Sequence, residues 1–379
     1  MKSFFNSFIM LTTTFFLITS SAFANEIKIG VAEALTGPIA KYGVPIRNGF
    51  ALAAEEINAA GGINGSRINL VIEDEQGKKE EAINVFKKFI FKDKVLAIFG
   101  PTLSNSAFAA DPAANASKTV VFGTSNTAEG ITAIGPYVFR NSVAEADILP
   151  KVVKAAKQKL KLAKVAILYG NDDAFTKSGY DAFKKAVEME KLEVVTTETF
   201  AKGDIDYSAQ LTKIKSLNPD AIVCSALVEE AANIILQARK LGIPDSIHFI
   251  GGNGFNSQKL IEIAGKSANG TISGSPWFLD DPNPKNRKFV AMYKKKYGLD
   301  PDQFAAQAYD ALFIMAEALK KIKLSGDIEK DRTSLRDELA KVKNFSGVGG
   351  KFSFDENRDA AQKGRVLIVK DGRFTVFTE

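Results

Sequence analysis

The sequence predicts an α/β protein made of two doubly wound parallel-sheet lobes. Three observations carry this expectation. Strand-like and helix-like segments alternate almost without a break. The alternation runs through one series of units and restarts near residue 164. The chain has 379 residues, more than one hydrophobic core usually organises.

The first series opens at 26–34, where polar and apolar residues alternate and then turn continuously apolar, as in a strand buried in a sheet. Over 43–60, Ile46, Phe50, Ala53, Ala54 and Ile57 share one helical face, and Gly61-Gly62 ends the helix. Strands follow at 68–73, 95–99, 119–122 and 137–140, with helices at 80–91, at 104–116 and from 145. The second series places strands at 164–169, 193–200, 221–225, 248–250 and 271–274. Its helices fall at 175–191, 207–217 and 228–241. Parallel strands with right-handed crossovers put helices on both faces of each sheet. Three further helices are expected at 284–297, 302–323 and 331–342. A hairpin, 366–369 with 373–377, turns at Asp371-Gly372.

The first residues stand apart. Lys2 precedes a mostly apolar run from Phe4 to Ile18, and Ala22-Phe23-Ala24 closes it. This is the layout of a secretory signal over 1–24, with the mature chain starting at Asn25 and exported to the periplasm. About 355 residues would remain, enough to fold on their own core without disulfides. Cys224 is the one cysteine and His248 the one histidine, so a zinc site of the usual type is excluded. The net charge is +6. The lysines lie scattered along helical stretches without interleaved aromatics, which reads as solvated helix faces and not as a nucleic-acid surface.

No catalytic pattern emerges. Gly265-Lys266-Ser267 ends like a phosphate loop, but Leu260 stands where its first glycine belongs. No Gly-x-Ser-x-Gly elbow occurs, and no cofactor or metal is expected. Hydroxyl residues at strand ends are more informative. Gly100 to Ser104 follows one strand and opens a helix, with Ser104 placed as its N-cap. Gly123 to Thr127 follows the next strand, is again hydroxyl-rich, and is expected to open a short helix. Ligands of open α/β sheets bind beyond the carboxyl ends of the strands, and a helix N-terminus there suits a carboxylate. Helix capping explains either turn by itself.

The segments Leu35-Thr36-Gly37-Pro38 with Tyr42-Gly43, Glu56 to Gly65 (EINAAGGING), Gly100-Pro101 to Ser104, Gln237 to Gly242 and Gly251 to Gly254 resemble the leucine/isoleucine/valine-binding proteins of ABC importers, the first structural type of periplasmic binding protein. The likeness covers nearly all of the chain after residue 25. It implies two lobes closing over a ligand, with lobe one at 26–142 plus 276–352 and lobe two at 143–275 plus 353–379. It also implies a monomer that delivers its ligand to membrane permease subunits and is not an enzyme. Matched position by position, Ser104 corresponds to the serine that binds the ligand's α-carboxylate. Ser125 and Thr127 correspond to the turn holding carboxylate and ammonium. Tyr42, Phe175 and Phe304 fall at or near the pocket's aromatic positions. Two positions depart from the family: Leu227 where a tyrosine is frequent, and Asn253 where an acid usually pairs with the ammonium. Asp173, Glu229 or Glu230 would then have to supply the charge, or the ligand is an apolar or aromatic carboxylate without an ammonium. A ligand sensor on the same fold is a third possibility.

Overall fold

The computed structural model describes residues 25–378; the expected export signal lies outside them. Five strands form a first, all-parallel sheet: β1 (Asn25–Glu33), β2 (Ser66–Asp74), β3 (Ala97–Phe99), β4 (Val120–Gly123) and β5 (Val138–Arg140). Their spatial order is β2-β1-β3-β4-β5. Between them run α1 (Ala40–Ala59), α2 (Lys79–Lys87) and α3 (Ser104–Ala116). The apolar positions on β1, β3 and β4 alternate between two cores. Ile29, Val31, Phe99 and Phe122 point into one with Ile46 and Phe50 of α1. Ala32, Ile98 and Val121 point into the other with Phe86, Phe89, Ala110 and Ala114. That division follows from the two-residue period of a strand and requires helices on both faces.

The second series behaves likewise. It comprises α4 (Glu145–Leu160), β6 (Lys164–Gly170), α5 (Ala174–Met189), β7 (Glu193–Phe200), α6 (Ser208–Leu217), β8 (Ala221–Ser225), α7 (Val228–Lys240), β9 (His248–Gly251), α8 (Gln258–Ala264) and β10 (Ile272–Ser275). After it come α9 (Pro284–Tyr297), α10 (Gln303–Leu319) and α11 (Ile328–Leu339). The last strands are β11 (Phe345–Gly347), β12 (Gly350–Phe354), β13 (Ala360–Ala361), β14 (Arg365–Lys370) and β15 (Arg373–Thr378). The second sheet has the order β15-β14-β10-β9-β8-β6-β7. β14 joins antiparallel to β10, and β15 closes the hairpin at Asp371-Gly372, both at positive φ as such a turn requires.

α10 belongs with the first sheet, although it follows the second in sequence. It packs along α1, and α11 anchors beside it through Arg332, whose guanidinium donates to the Val95 carbonyl at 2.7 Å. The small sheet β11-β12-β13 was not expected from the sequence; its strands are only two to five residues long, too short for alternation to mark them. Its Phe354 packs tilted against Phe122 and edge-on against Phe139, with ring centroids 5.5 and 5.2 Å apart. Phe354 therefore packs into the first sheet's core.

Both sheets change direction of winding once. The reversal lies between β1 and β3 in the first and between β6 and β8 in the second. A crevice opens at such points because the flanking helices leave to opposite faces.

The α1–α10 contact gives a direct test of packing. A Cβ on Gly49 would lie 2.2 Å from the Ala305 carbonyl oxygen. Gly49→Ala improves helix propensity in α1, yet the clash dominates. We expect destabilisation by about 1–3 kcal/mol, measured by denaturant unfolding; an increase in stability would show that the two helices are not in contact.

Candidate functional site: a cleft between two switch points

One cleft is lined by Tyr42, Thr102, Leu103, Ser104, Ser125, Thr127, Phe175, Leu227, Asn253, Gly254 and Phe304. All eight residues singled out from the sequence are among them. The cleft encloses about 340 Å³ of space free of protein atoms, part of it open to solvent. Thr102 to Ser104 follow β3 and Ser125 to Thr127 follow β4, next to the first reversal. Phe175, Leu227 and Asn253-Gly254 follow β6, β8 and β9 around the second. Two strand-end crevices thus face each other.

Contacts cross between the two sides. The Tyr42 hydroxyl accepts from the Val228 amide at 2.7 Å and reaches the Gly254 carbonyl at 3.5 Å. Asn105 donates to Asp173 at 2.7 Å and accepts from the Ala174 amide at 2.9 Å. Glu129 N–H donates to the Ser178 hydroxyl at 2.9 Å. Lys41 pairs with Glu229. The cleft is therefore in a closed form. Burial drives the Tyr42 hydroxyl pKa far upward, so it stays neutral.

The directions of the hydrogen bonds divide the polar lining in two. Ser104 is the first residue of α3 and not its cap; Leu103 holds the cap position with extended backbone and offers no side-chain bond. The Ser104 oxygen instead accepts from the Ala128 amide at 3.3 Å. Its O–H remains available to donate, at a helix N-terminus whose first N–H groups carry no side-chain cap. On the other side, Ser125 spends its proton on the Thr102 carbonyl at 2.7 Å, and Thr127 directs its own toward Glu145 at 3.4 Å. Both N–H bonds of the Asn253 amide are used, one on Glu145 at 3.0 Å and one on the Val143 carbonyl at 3.2 Å. Ser125, Thr127 and Asn253 consequently present oxygen to the cleft, the Asn253 oxygen with one acceptor position already reached by Gln303 Nε2 at 3.5 Å. The 123–127 turn opens no helix, contrary to expectation. Arg140 holds it by donating to the carbonyls of Asn126 (3.1 Å) and Ala128 (2.7 Å) while paired with Asp359.

The apolar lining is Tyr42, Leu103, Phe175, Leu227 and Phe304, with Tyr42 and Phe304 edge to face at 4.9 Å. The three acids offered by the sequence as substitutes for Asn253 are engaged elsewhere. Asp173 caps α5, Glu229 faces Lys41, and Glu230 accepts from the Leu227 amide at 2.9 Å. Thr102 was not anticipated as a lining residue, although it lies within the Gly100–Ser104 turn. Thr102 accepts from Ala34 N–H at 2.8 Å and donates to buried Glu33 at 2.6 Å, fixing the β3 turn against β1. Glu145 was not anticipated either; its place at the start of α4 reads as ordinary helix-terminal acidity. The histidine is structural: His248 Nδ1 bonds the Gly270 carbonyl at 2.8 Å.

A family model described as periplasmic binding protein matches residues 26–373. The chain belongs to that family. Its expected likeness to leucine/isoleucine/valine-binding proteins holds. The leucine-, isoleucine-, valine-, threonine-, and alanine-binding protein of Pseudomonas aeruginosa is 27% identical over 93% of this chain and 90% of its own. The Leu/Ile/Val-binding protein of Escherichia coli K12 is 26% identical over 90% of each. Among solved structures, the branched-chain amino acid transporter substrate binding protein LivJ of Streptococcus pneumoniae, in complex with isoleucine, superposes with a TM-score of 0.85. It is 32% identical and covers 92% of this chain and 98% of its own. A solute binding protein of an ABC transporter from Rhodopseudomonas palustris, in complex with 3,4-dihydroxy benzoic acid, has a TM-score of 0.82 at 25% identity, covering 92% and 95%. Both lobes of this fold are thus present, and the family is one of binding proteins. Among the described residues no helix is long and apolar enough to cross a membrane.

The cross-cleft bonds predict how closure responds to a single atom. Tyr42→Phe removes the hydroxyl and leaves the Val228 amide unpaired in the closed form. A buried donor left unsatisfied costs about 1–3 kcal/mol, so ligand affinity should fall roughly fivefold to a hundredfold while the unfolding midpoint of the ligand-free protein moves little. Calorimetric titration against thermal unfolding separates the two; unchanged affinity would show that these bonds do not form on closure.

Proposed function

We propose that this protein is the substrate-binding component of an ABC importer that captures a branched-chain or similar apolar α-amino acid and delivers it to membrane permease subunits. One observation carries the ligand class. The cleft offers a donor end at Ser104 and the start of α3, and an acceptor end at Ser125, Thr127 and Asn253. An α-amino acid has the matching polarity, carboxylate at one end and ammonium at the other. Its side chain would rest on Leu103, Phe175, Leu227 and Phe304. The relatives that bind leucine, isoleucine and valine support the same class.

The protein acts as an exported monomer in the periplasm and performs no chemistry on its ligand. The capture step is a hinge closure, which the cross-cleft bonds stabilise. The chain crosses between lobes near 141–143, 275–277 and in its last third. The packing of Phe354 against Phe122 and Phe139 supports a third crossing between 361 and 365, some ten residues later than the sequence suggests.

A second reading keeps the importer role and replaces the ligand by an aromatic or apolar carboxylate. The absence of charge on the lining residues and the relative solved with 3,4-dihydroxy benzoic acid favour it. A thermal-shift screen separates the two, because a ligand that binds only the folded state raises its melting temperature. Leucine, isoleucine or valine should raise it and benzoate should not; the reverse result would replace the first reading by the second. Ser104→Ala should weaken either kind of carboxylate by about 1.5–3 kcal/mol, the scale of a hydrogen bond to a charged group. Unaltered affinity would leave Ser104 a purely structural residue.

A further inference from the structure

Asn253 brings no charge to the ammonium end of the cleft, and the acid behind it stands out. Glu145 is 1% exposed. Its Oε1 accepts from the Asn253 amide N–H at 3.0 Å, from Asn253 Nδ2 at 3.0 Å and from the Thr127 hydroxyl at 3.4 Å. Its Oε2 has no partner and lies under Gly252, where a Cβ would sit 2.1 Å from it. Any side chain at 252 would displace the carboxyl, so the glycine makes room for it. A buried carboxylate with an idle oxygen is costly unless it interacts with a positive charge.

We propose that Glu145 is the counter-charge for the ligand's ammonium, acting through Asn253 and Thr127, and that it makes this cleft select amino acids over the corresponding acids without an amino group. The inference rests on the amino-acid reading of the cleft. Glu145 touches the two side chains that present oxygen to the ligand. By accepting their protons it fixes which atoms face inward and adds negative charge behind them. It is a positioning residue, one layer removed from the ligand. The acid has moved off the rim while its electrostatic effect is retained, since a low-dielectric interior carries a charge's influence over such distances.

The charged surroundings of Glu145 support a titration in the working range. Burial pushes its pKa up to about 7, against the hydrogen bonds from Asn253 and Thr127 and the nearby Arg140, which lower it. Arg140 is itself held by Asp359 and by the carbonyls of Asn126 and Ala128. Asp147, on the same helix, and Asp359 form the next charges outward. The residues that touch its carboxyl, Thr127, Gly252 and Asn253, carry no titratable group, while α5 and β14, which also pack on α4, carry charged residues that include Lys177, Asp181 and Arg365. An ammonium favours the ionised carboxylate, so ligand entry expels a proton from the fraction of protein that is protonated. Leucine affinity should therefore rise from pH 6 to pH 8, and binding at pH 7 should release roughly half a proton.

The test compares leucine with 4-methylpentanoate, its counterpart without the amino group, by calorimetric titration in buffers of different ionisation enthalpy. In the unaltered protein, leucine binds more tightly and releases protons, and 4-methylpentanoate releases none. E145Q should weaken leucine about tenfold or more, abolish the proton release and the pH slope, and change 4-methylpentanoate binding less than twofold. E145Q/N253D, which moves the acid to the rim, should recover most of the leucine affinity. An E145Q protein that keeps its preference for leucine and its proton release overturns the role of Glu145 alone. Equal loss of both ligands in E145Q, with leucine not recovered by the double variant, marks a structural role and also overturns it. Unaltered protein that binds both ligands equally well overturns the inference together with the amino-acid reading.

Discussion

When an amino acid enters this cleft, two full charges leave water, and no side chain lining the cleft is charged. Taking an ion out of water costs several kcal/mol unless oriented dipoles or an opposite charge replace the lost hydration. The site's construction answers this constraint. In the proposed complex, carboxylate hydration is replaced by the Ser104 hydroxyl and the uncapped start of α3. Ammonium hydration would be replaced by three oxygens, each pointed inward because its own proton or amide N–H is bound behind it.

Those orientations are set by the fold. Thr102 accepts from β1 and donates to Glu33, which fixes the turn after β3. Ser125 and Asn126 then bind the Thr102 carbonyl, at 2.7 and 3.3 Å, so the turn after β4 is registered to the turn after β3. Arg140 clamps the far side of that second turn to the segment leading away from lobe one. Asn253 comes from the opposite sheet and meets Glu145 at the start of α4, close to the first crossing between lobes. The acceptor end thus combines residues that follow strands of both sheets.

Much of this was legible in the sequence. Strand and helix periods placed the two sheets within a residue or two at most ends, because buried parallel strands and one-sided helices leave strong patterns. Eight of the eleven residues that line the cleft could be named because they sit at strand ends in recognisable turns or at positions matched to relatives. What stayed hidden depends on long-range placement. The β11-β12-β13 sheet consists of strands too short to show a period. Ser104 looked like a helix cap, since the preference for Ser at that position says nothing about an Ala128 amide 24 residues away. Glu145 could not be distinguished from any acid in a first helical turn; its partner at 253 is 108 residues distant.

The central claim is that the cleft holds a zwitterion in one orientation. A crystal structure of the leucine complex tests it most directly. The account predicts the carboxylate on the Ser104 hydroxyl and the first N–H groups of α3, with the ammonium within hydrogen-bond reach of Asn253 Oδ1 and the Thr127 oxygen. An ammonium turned toward Ser104, with the carboxylate against Asn253, would contradict it.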